Sequence, residues 1–189
     1  MAGPTLEILL WHPFSADRAR QLRDLVAAVT RSLDEDPLQV FTTRPFGGSY
    51  DGNPSLPFLI EPENLDDERD DLADIEAAFG RVPRAAVGLC AMTKGSDAHR
   101  VLAELALAIT ERLDGVVDFN GLLLPNEGWH EHPPWAEIKL VAARYLVGLP
   151  GKVVAIPYEL GNGRVWGGHV GDTTFLRAWL GHPDFHMIK

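Results

Sequence analysis

Residues 85–124 decide the fold, and they read AAVGLCAMTKGSDAHRVLAELALAITERLDGVVDFNGLLL. The two ends of this stretch are nearly continuous apolar runs, as expected of strands that are buried on both faces. Between them, the apolar spacing is that of a helix that packs by one stripe, formed by Val101, Leu105, Ile109 and Leu113. Ser96 is the predicted N-cap of this helix. The stretch therefore predicts a strand, a helix and a strand in the core of a mixed domain.

Towards the N-terminus, the same patterns predict strand 5–11, helix 16–33, strand 38–42, strand 56–60 and helix 66–79. We expect Gly80 to end the last of these helices. With the strand that begins at Ala85, the first half has the βαββαβ order of a ferredoxin-like sandwich. We therefore predict an α+β fold, in which helices pack on a mixed, mostly antiparallel sheet.

Towards the C-terminus, the patterns predict a helix from Trp135 and a strand over 152–160. Residues 161–171 are rich in glycine and predict a turn, with a short strand at 164–166. Asp172 or Thr173 is expected to cap a final short helix. The length of 189 residues fits one globular domain, 1–189, and the alternative is two packed lobes, 1–94 and 95–189.

Composition narrows the functional classes. Cys90 is the only cysteine, so the chain has no internal disulfide and no cysteine-rich metal site. We find no apolar run long enough for a membrane helix and no basic signal segment before the first strand. These features favour a cytoplasmic protein that makes no membrane contact, and the preference for Arg over Lys favours a bacterial source. We predict no cofactor and no metal.

The acidic charge is concentrated in one segment. The net charge is −10, and residues 61–76 (EPENLDDERDDLADIE) hold nine acids and one base, so they contribute −8 and leave −2 for the rest. Nucleic acid is disfavoured as a partner because phosphates require a basic surface, whereas a basic protein is favoured. The predicted partner-binding acids are Asp66, Asp67, Glu68, Asp70, Asp71 and Asp74. The alternative is a solvated helix face that maintains solubility.

The loop 125–134 (PNEGWHEHPP) and the residue after it carry two large aromatic side chains. Trp129 and Trp135 are either tucked into the core or presented to a partner, and we include both among the predicted partner-binding residues. His130 and His132 form an H-x-H pair that could bind zinc, with Glu127 or His169 as a third ligand. The alternative for this pair is an ordinary surface loop.

Two further polar residues lie in apolar surroundings. Cys90 is expected to be buried and inert, although a nucleophile paired with His99 is the alternative. Asp118 interrupts the apolar run VVDFNG. We expect its side chain to face solvent by strand alternation, and the alternative is a strand end with a hydrogen-bond partner.

Two segments carry a resemblance to known proteins: residues 95–121, GSDAHRVLAELALAITERLDGVVDFNG, and residues 171–189, GDTTFLRAWLGHPDFHMIK. Together they resemble a family of uncharacterised bacterial domains associated with the immunity proteins of polymorphic-toxin systems. The resemblance implies that the protein binds and neutralises a cognate toxin without catalysis, and it supplies no catalytic residues.

The sequence thus leads to two hypotheses from different classes. The favoured one is a non-catalytic binding protein, namely an immunity protein that neutralises a toxin through its acidic surface. The other is a small-molecule or metal-dependent hydrolase that uses the His130/His132 loop.

Overall fold

The computed structural model describes residues 3–35, 38–42, 56–65, 69–125, 134–160 and 165–188, with the backbone alone at 29–35, 38–42, 56 and 57. The elements follow one another as β1 (Thr5–Leu10), α1 (Ala16–Val29), β2 (Thr30–Glu35), β3 (Leu38–Thr42), β4 (Leu56–Asn64), α2 (Leu72–Phe79), β5 (Ala85–Ala91), α3 (Ser96–Leu113), β6 (Gly115–Asp118), α4 (Trp135–Tyr145), β7 (Val153–Glu159), β8 (Val165–Gly171) and α5 (Thr173–Leu180).

Within the described residues, the strands form one eight-stranded sheet in the order β2-β3-β4-β5-β1-β6-β8-β7. Every pair of neighbouring strands is antiparallel. The pairing of β1 with β6 joins strands from 1–94 and 95–189, so the two predicted lobes share this sheet. The predicted α+β class with an antiparallel sheet and packed helices is confirmed.

The sheet is covered on two faces, and β1 shows how its sequence divides between them. Leu6, Ile8 and Leu10 point to the first face, where they join the larger core. Leu9 and Trp11 point to the second face and pack with Ile75 of α2. Burial on both faces explains why β1 and β5 read as nearly continuous apolar runs. Glu7 is the charged exception on the second face.

Helices α1, α3 and α5 supply the core of the first face. The predicted stripe of α3 is fully buried there, together with Phe175 and Trp179 of α5. The predicted sequence of strand, helix and strand over residues 85–124 is therefore confirmed. The C-terminal residues are bonded to the start of the central strand β1, where the Thr5 amide donates to the Ile188 carbonyl over 3.0 Å. The Met187 amide donates to His99 Nδ1 over 2.8 Å.

The first half departs from the ferredoxin-like order in one respect. Helix α1 ends at Val29 instead of residue 33, and residues 30–35 form the additional strand β2. Leu33 continued the helical spacing, but its backbone pairs with Val40 of β3. The predicted order βαββαβ is thus wrong, because sheet pairing overrides a local periodicity that fits either element.

The glycine-rich stretch is the second departure, because residues 165–171 form the full strand β8 instead of a turn. Its glycines lie where other groups come close to the backbone. A Cβ at Gly167 would lie 2.3 Å from the Trp135 ring, and one at Gly171 would lie 2.7 Å from the Phe175 ring. Glycine in a strand is typical of such close approach.

The helix ends agree with the predicted caps in two of three cases. Gly80 ends α2 at a φ of 74°, a left-handed conformation that favours glycine. Asp172 caps α5 and accepts a hydrogen bond from the Phe175 amide over 2.7 Å. Ser96 is not a cap, because it is the first residue of α3 and Gly95 occupies the cap position with a φ of 120°.

We expect Asp172→Ala to lower the free energy of unfolding by about 2 kcal/mol, from about 1 kcal/mol for the cap and a similar amount for a second bond. That second bond runs from the Lys152 amide to Asp172 Oδ2 over 2.9 Å, so the side chain links α5 to β7. Urea unfolding measures the effect. The matched control is Asp17→Ala, at an exposed position in the first turn of α1. An equal loss in the two variants would contradict this account.

Candidate functional site

A line of carboxylates crosses the second face of the sheet. Glu7 on β1 lies opposite Gly88 on one side and opposite Asp118 of β6 on the other. Glu61 on β4 lies opposite Gly88 in turn. Directly opposed residues of antiparallel strands share a face, so three carboxylates and one glycine form a single row across four strands.

Arg69 lies over this row and holds its neighbouring segment against the sheet. Its Nη1 donates to Glu7 over 2.5 Å and its Nη2 donates to Asp118 over 3.3 Å. Two further bonds, of 2.6 and 3.0 Å, reach the two carboxylate oxygens of Asp71. Burial alone would lower the pKa of Arg69, but its bonds to Asp71 and Glu7 outweigh burial and raise that pKa. Arg69 therefore stays protonated.

The local sequence explains how Asp118 reaches this position. Asp118 is the last residue of β6, and its Oδ1 accepts a hydrogen bond from the Asn120 amide over 2.8 Å. Such a bond to the amide two residues on is an Asx turn. Asn120 has a φ of 55°, a conformation that asparagine adopts more readily than most residues. The turn fixes the carboxylate at the strand end.

Asp118 is held in an environment that disfavours its charge. Its side chain is only 13% exposed. Burial has the largest effect and raises the pKa of Asp118, and the charges of Glu7 and Asp71 also raise it. The hydrogen bond from the Asn120 amide and the charge of Arg69 lower it. The resulting pKa is about 6. The carboxylate is therefore mostly ionised at neutral pH, at a cost in stability.

Asp118 faces a cavity of ≈ 380 Å³ that is open to solvent, which we name the Asp118 pocket. Its lining consists of Arg69, Asp70, Asp71, Asp118, Asn120, Ile156, Pro157, Tyr158, Gly168 and Val170. Gly168 leaves room there, since a Cβ would lie 3.4 Å from Asp118 Oδ1. Burial, and then the charge of Asp118, raise the pKa of Tyr158. Its hydroxyl stays protonated next to that carboxylate.

A smaller cavity of ≈ 250 Å³ continues along the row, and Asn120 lines both cavities. Glu7, Glu61, Gly88 and Cys90 are among its lining residues. Cys90 is half-buried, and burial followed by the charge of Glu61 raises its thiol pKa. This thiol is protonated at neutral pH, which agrees with the expected inert cysteine better than with a nucleophile.

The predicted partner-binding residues divide into three groups. Asp70 and Asp71 line the Asp118 pocket, and Asp74 is exposed on α2. Trp135 opens α4 and packs half-buried against Gly167, on the opposite face of the sheet. Asp66, Asp67, Glu68 and Trp129 lie outside the described residues.

The expectation that Asp118 faces solvent is wrong. Strand alternation does put it on the second face, but α2 and the segment before it cover that face. The alternative, a strand end with a hydrogen-bond partner, is the observed arrangement. Sequence reasoning also missed Glu7, Arg69 and Tyr158. A charged residue within the apolar run of β1 was a usable signal for Glu7.

His169 is the other buried polar group, with 3% exposure. Its Nδ1 accepts a hydrogen bond from the Leu123 amide over 2.9 Å, and burial lowers its pKa to about 4. His169 was a candidate third ligand of zinc, whereas His130 and His132 lie outside the described residues. Within the described part of the chain, no group of three or more His, Cys, Asp or Glu side chains is placed to hold a metal ion.

Fold and site together define an α+β protein with one antiparallel sheet and an anionic pocket on its second face. The chain belongs to the family of unknown function (DUF6368), whose model matches residues 2–189. No curated protein and no solved structure matches the chain. None of the helices in the described residues has the length and apolar character needed to cross a membrane.

Asp118 and His169 are expected to give opposite pH dependences of stability. The pKa of Asp118 is about 6 when folded against 3.8 normally, so its contribution is lost as pH rises through this window. The pKa of His169 is about 4 against 6.5, so its contribution is lost as pH falls. Each contribution to the free energy of unfolding amounts to about 3 kcal/mol. The two slopes of that free energy against pH nearly cancel between about pH 4 and pH 6.

Single variants should separate these slopes in urea unfolding across this pH range. Relative to wild type, His169→Asn should lose stability as pH rises, by about 1.4 kcal/mol per pH unit. The Asn side chain can still accept from the Leu123 amide. Asp118→Asn should gain stability as pH rises, by a similar amount. Curves parallel to wild type would contradict the assigned environments.

Arg69→Met should cost about 3 kcal/mol at pH 8, because it leaves buried carboxylates without their counter-ion. The loss should be at least about 1 kcal/mol smaller in an Asp118→Asn background, as a double-mutant cycle in urea would show. Arg20→Met is the control, since that side chain is 69% exposed and should change stability by less than about 1 kcal/mol. Additive losses for Arg69 and Asp118 would refute their coupling.

Proposed function

We propose that this protein is a non-catalytic binding protein, and that its Asp118 pocket receives a cationic side chain of a basic protein partner. The observation that carries the proposal is the position of Asp118, a buried carboxylate next to an open cavity. Its environment destabilises the ionised form, and such groups are concentrated at functional sites. A cation in the pocket would stabilise that form directly.

The charge balance of the site supports a cationic ligand. In the described structure, Arg69 is the only cation bonded to Glu7, Asp71 and Asp118, so the cluster carries −2 when all three acids are ionised. Asp70 adds a further acid at the rim. The guanidinium of an Arg or the ammonium of a Lys would offset this excess.

The other walls fit the rest of such a side chain. Ile156 and Pro157 give apolar surface for the methylene groups of an Arg or Lys. The Tyr158 ring is a favourable neighbour for a cation. Tyr158 lines the pocket and is 43% exposed, and Leu160, two residues further on and just after β7, is also exposed. Exposed apolar residues around an anchoring pocket are typical of protein interfaces.

The particular partner that we propose is a cognate bacterial toxin with a basic surface, which would make the protein an immunity protein of the bacterial cytoplasm. The resemblance of residues 95–121 and 171–189 to domains associated with immunity proteins supports this choice. The −8 segment over residues 61–76 supports it too, because a focused acidic patch speeds encounter with a basic partner.

The pocket can be tested with butylguanidinium, which carries the end group of an arginine side chain. We expect it to shift the amide NMR signals of Asn120 and Tyr158 and to bind more weakly below about pH 6, where Asp118 is protonated. Asp118→Asn should weaken binding about tenfold. The control Asp74→Asn removes one negative charge from α2 outside the pocket and should leave binding almost unchanged. Equal effects of the two variants would refute the pocket.

The partner is tested with wild type, Asp118→Asn and Asp17→Asn as baits in cells of the source organism. Asp17 is exposed on α1, outside the acidic segment, so its substitution is the matched control. A basic protein should be recovered by wild type and Asp17→Asn, and less by Asp118→Asn. Expressed alone in a bacterial host, that protein should stop growth, and wild type should restore growth better than Asp118→Asn. Recovery of a harmless protein would exclude the immunity role while leaving the binding function standing.

A further inference from the structure

A second cavity, of ≈ 350 Å³, lies between α4 and the strands β7 and β8. His169 forms part of its lining, so we name it the His169 cavity. We propose that it binds a small molecule with a carboxylate on a short apolar chain. This proposal does not rest on the function proposed above, because the two cavities lie on opposite faces of β8: Gly168 lines one and His169 lines the other.

His169 supplies a hydrogen-bond donor that the fold does not use. Its Nδ1 accepts from the Leu123 amide, so the neutral ring carries its proton on Nε2. Within the described residues, the structure gives Nε2 no hydrogen-bond partner, although the side chain is 97% buried. Among the described residues, Thr93 Oγ1 is the one fully enclosed side-chain N or O atom without a partner, so Nε2 of His169 is not sealed from solvent. His169 lines the cavity, and an acceptor on a ligand there could take the hydrogen bond that Nε2 offers to water.

The remaining lining defines the sign and shape of the ligand. Lys139 is the other polar side chain in the described lining, and both it and His169 are donors. No acidic side chain of the described residues lines the cavity. Ala143, Leu146 and Val153 give apolar walls. Two donors and apolar walls fit a ligand with an anionic acceptor at one end and a hydrocarbon chain at the other.

Hexanoate and hexylammonium are matched probes, since they share a chain length and differ in the sign of the head group. At pH 7, hexanoate should shift the NMR signals of the His169 ring, including ¹⁵Nε2. Hexylammonium should leave that ring unchanged and act instead at the Asp118 pocket. The probes therefore separate failure of this proposal from failure of the proposed function.

Three variants locate the binding site. His169→Asn keeps an acceptor for the Leu123 amide and removes the Nε2 donor, and it should weaken hexanoate binding about tenfold. Lys139→Gln should weaken it by about threefold. Ala143→Phe fills the cavity from an exposed helix position and should abolish binding without perturbing the core, so the test does not depend on the folding of the His169 variant.

Three results would overturn the proposal. The first is an unchanged His169 ring at tens of millimolar hexanoate. The second is equal binding of hexanoate and hexylammonium at that ring. The third is full binding by Ala143→Phe, which would place the hexanoate elsewhere.

Discussion

The bonds of Arg69 organise the second face of the sheet. One guanidinium joins carboxylates from β1, from β6 and from its own segment before α2. The hydrophobic contacts of Ile75 hold α2 over Leu9 and Trp11. Apolar packing alone sets no direction for the segment that precedes the helix, whereas the planar guanidinium requires defined geometry at each carboxylate. This ion cluster positions the residues before α2 that line the Asp118 pocket, and strand register positions the lining residues on the sheet.

The sheet explains why an aspartate occupies so unfavourable a place. Asp118 and Glu7 are direct cross-strand neighbours, and like charges in that arrangement repel. Burial is the main cause of the raised pKa of Asp118, the charge of Glu7 raises that pKa further, and the charge of Arg69 lowers it. A hydrophobic residue there would pack well and cost less. The proposed binding role would account for this cost, because functional sites commonly trade stability for activity.

Local patterns predicted the parts of the fold that depend on local physics. The core of β5, α3 and β6, the left-handed Gly80 and the Asp172 cap all follow from nearby residues. The boundary of α1 could not be placed, because residues 30–35 gain their strand pairing only from β3. The glycines of β8 were read as a turn because Trp135 and Phe175, which need the space, approach from other elements. The acidic segment was evident, but the convergence of Arg69, Glu7 and Asp118 needs long-range pairing that no spacing reveals.

The bond between Thr5 and Ile188 has a practical meaning for protein engineering. It places the start of the first strand next to the last described residues. A short linker could therefore join these ends, and new termini could be opened in a surface connection, giving a circularly permuted chain with the same sheet order. In such a chain the strands would be synthesised in a different order while the sheet order stayed the same. Strands β6 and β8 could then leave the ribosome before β1.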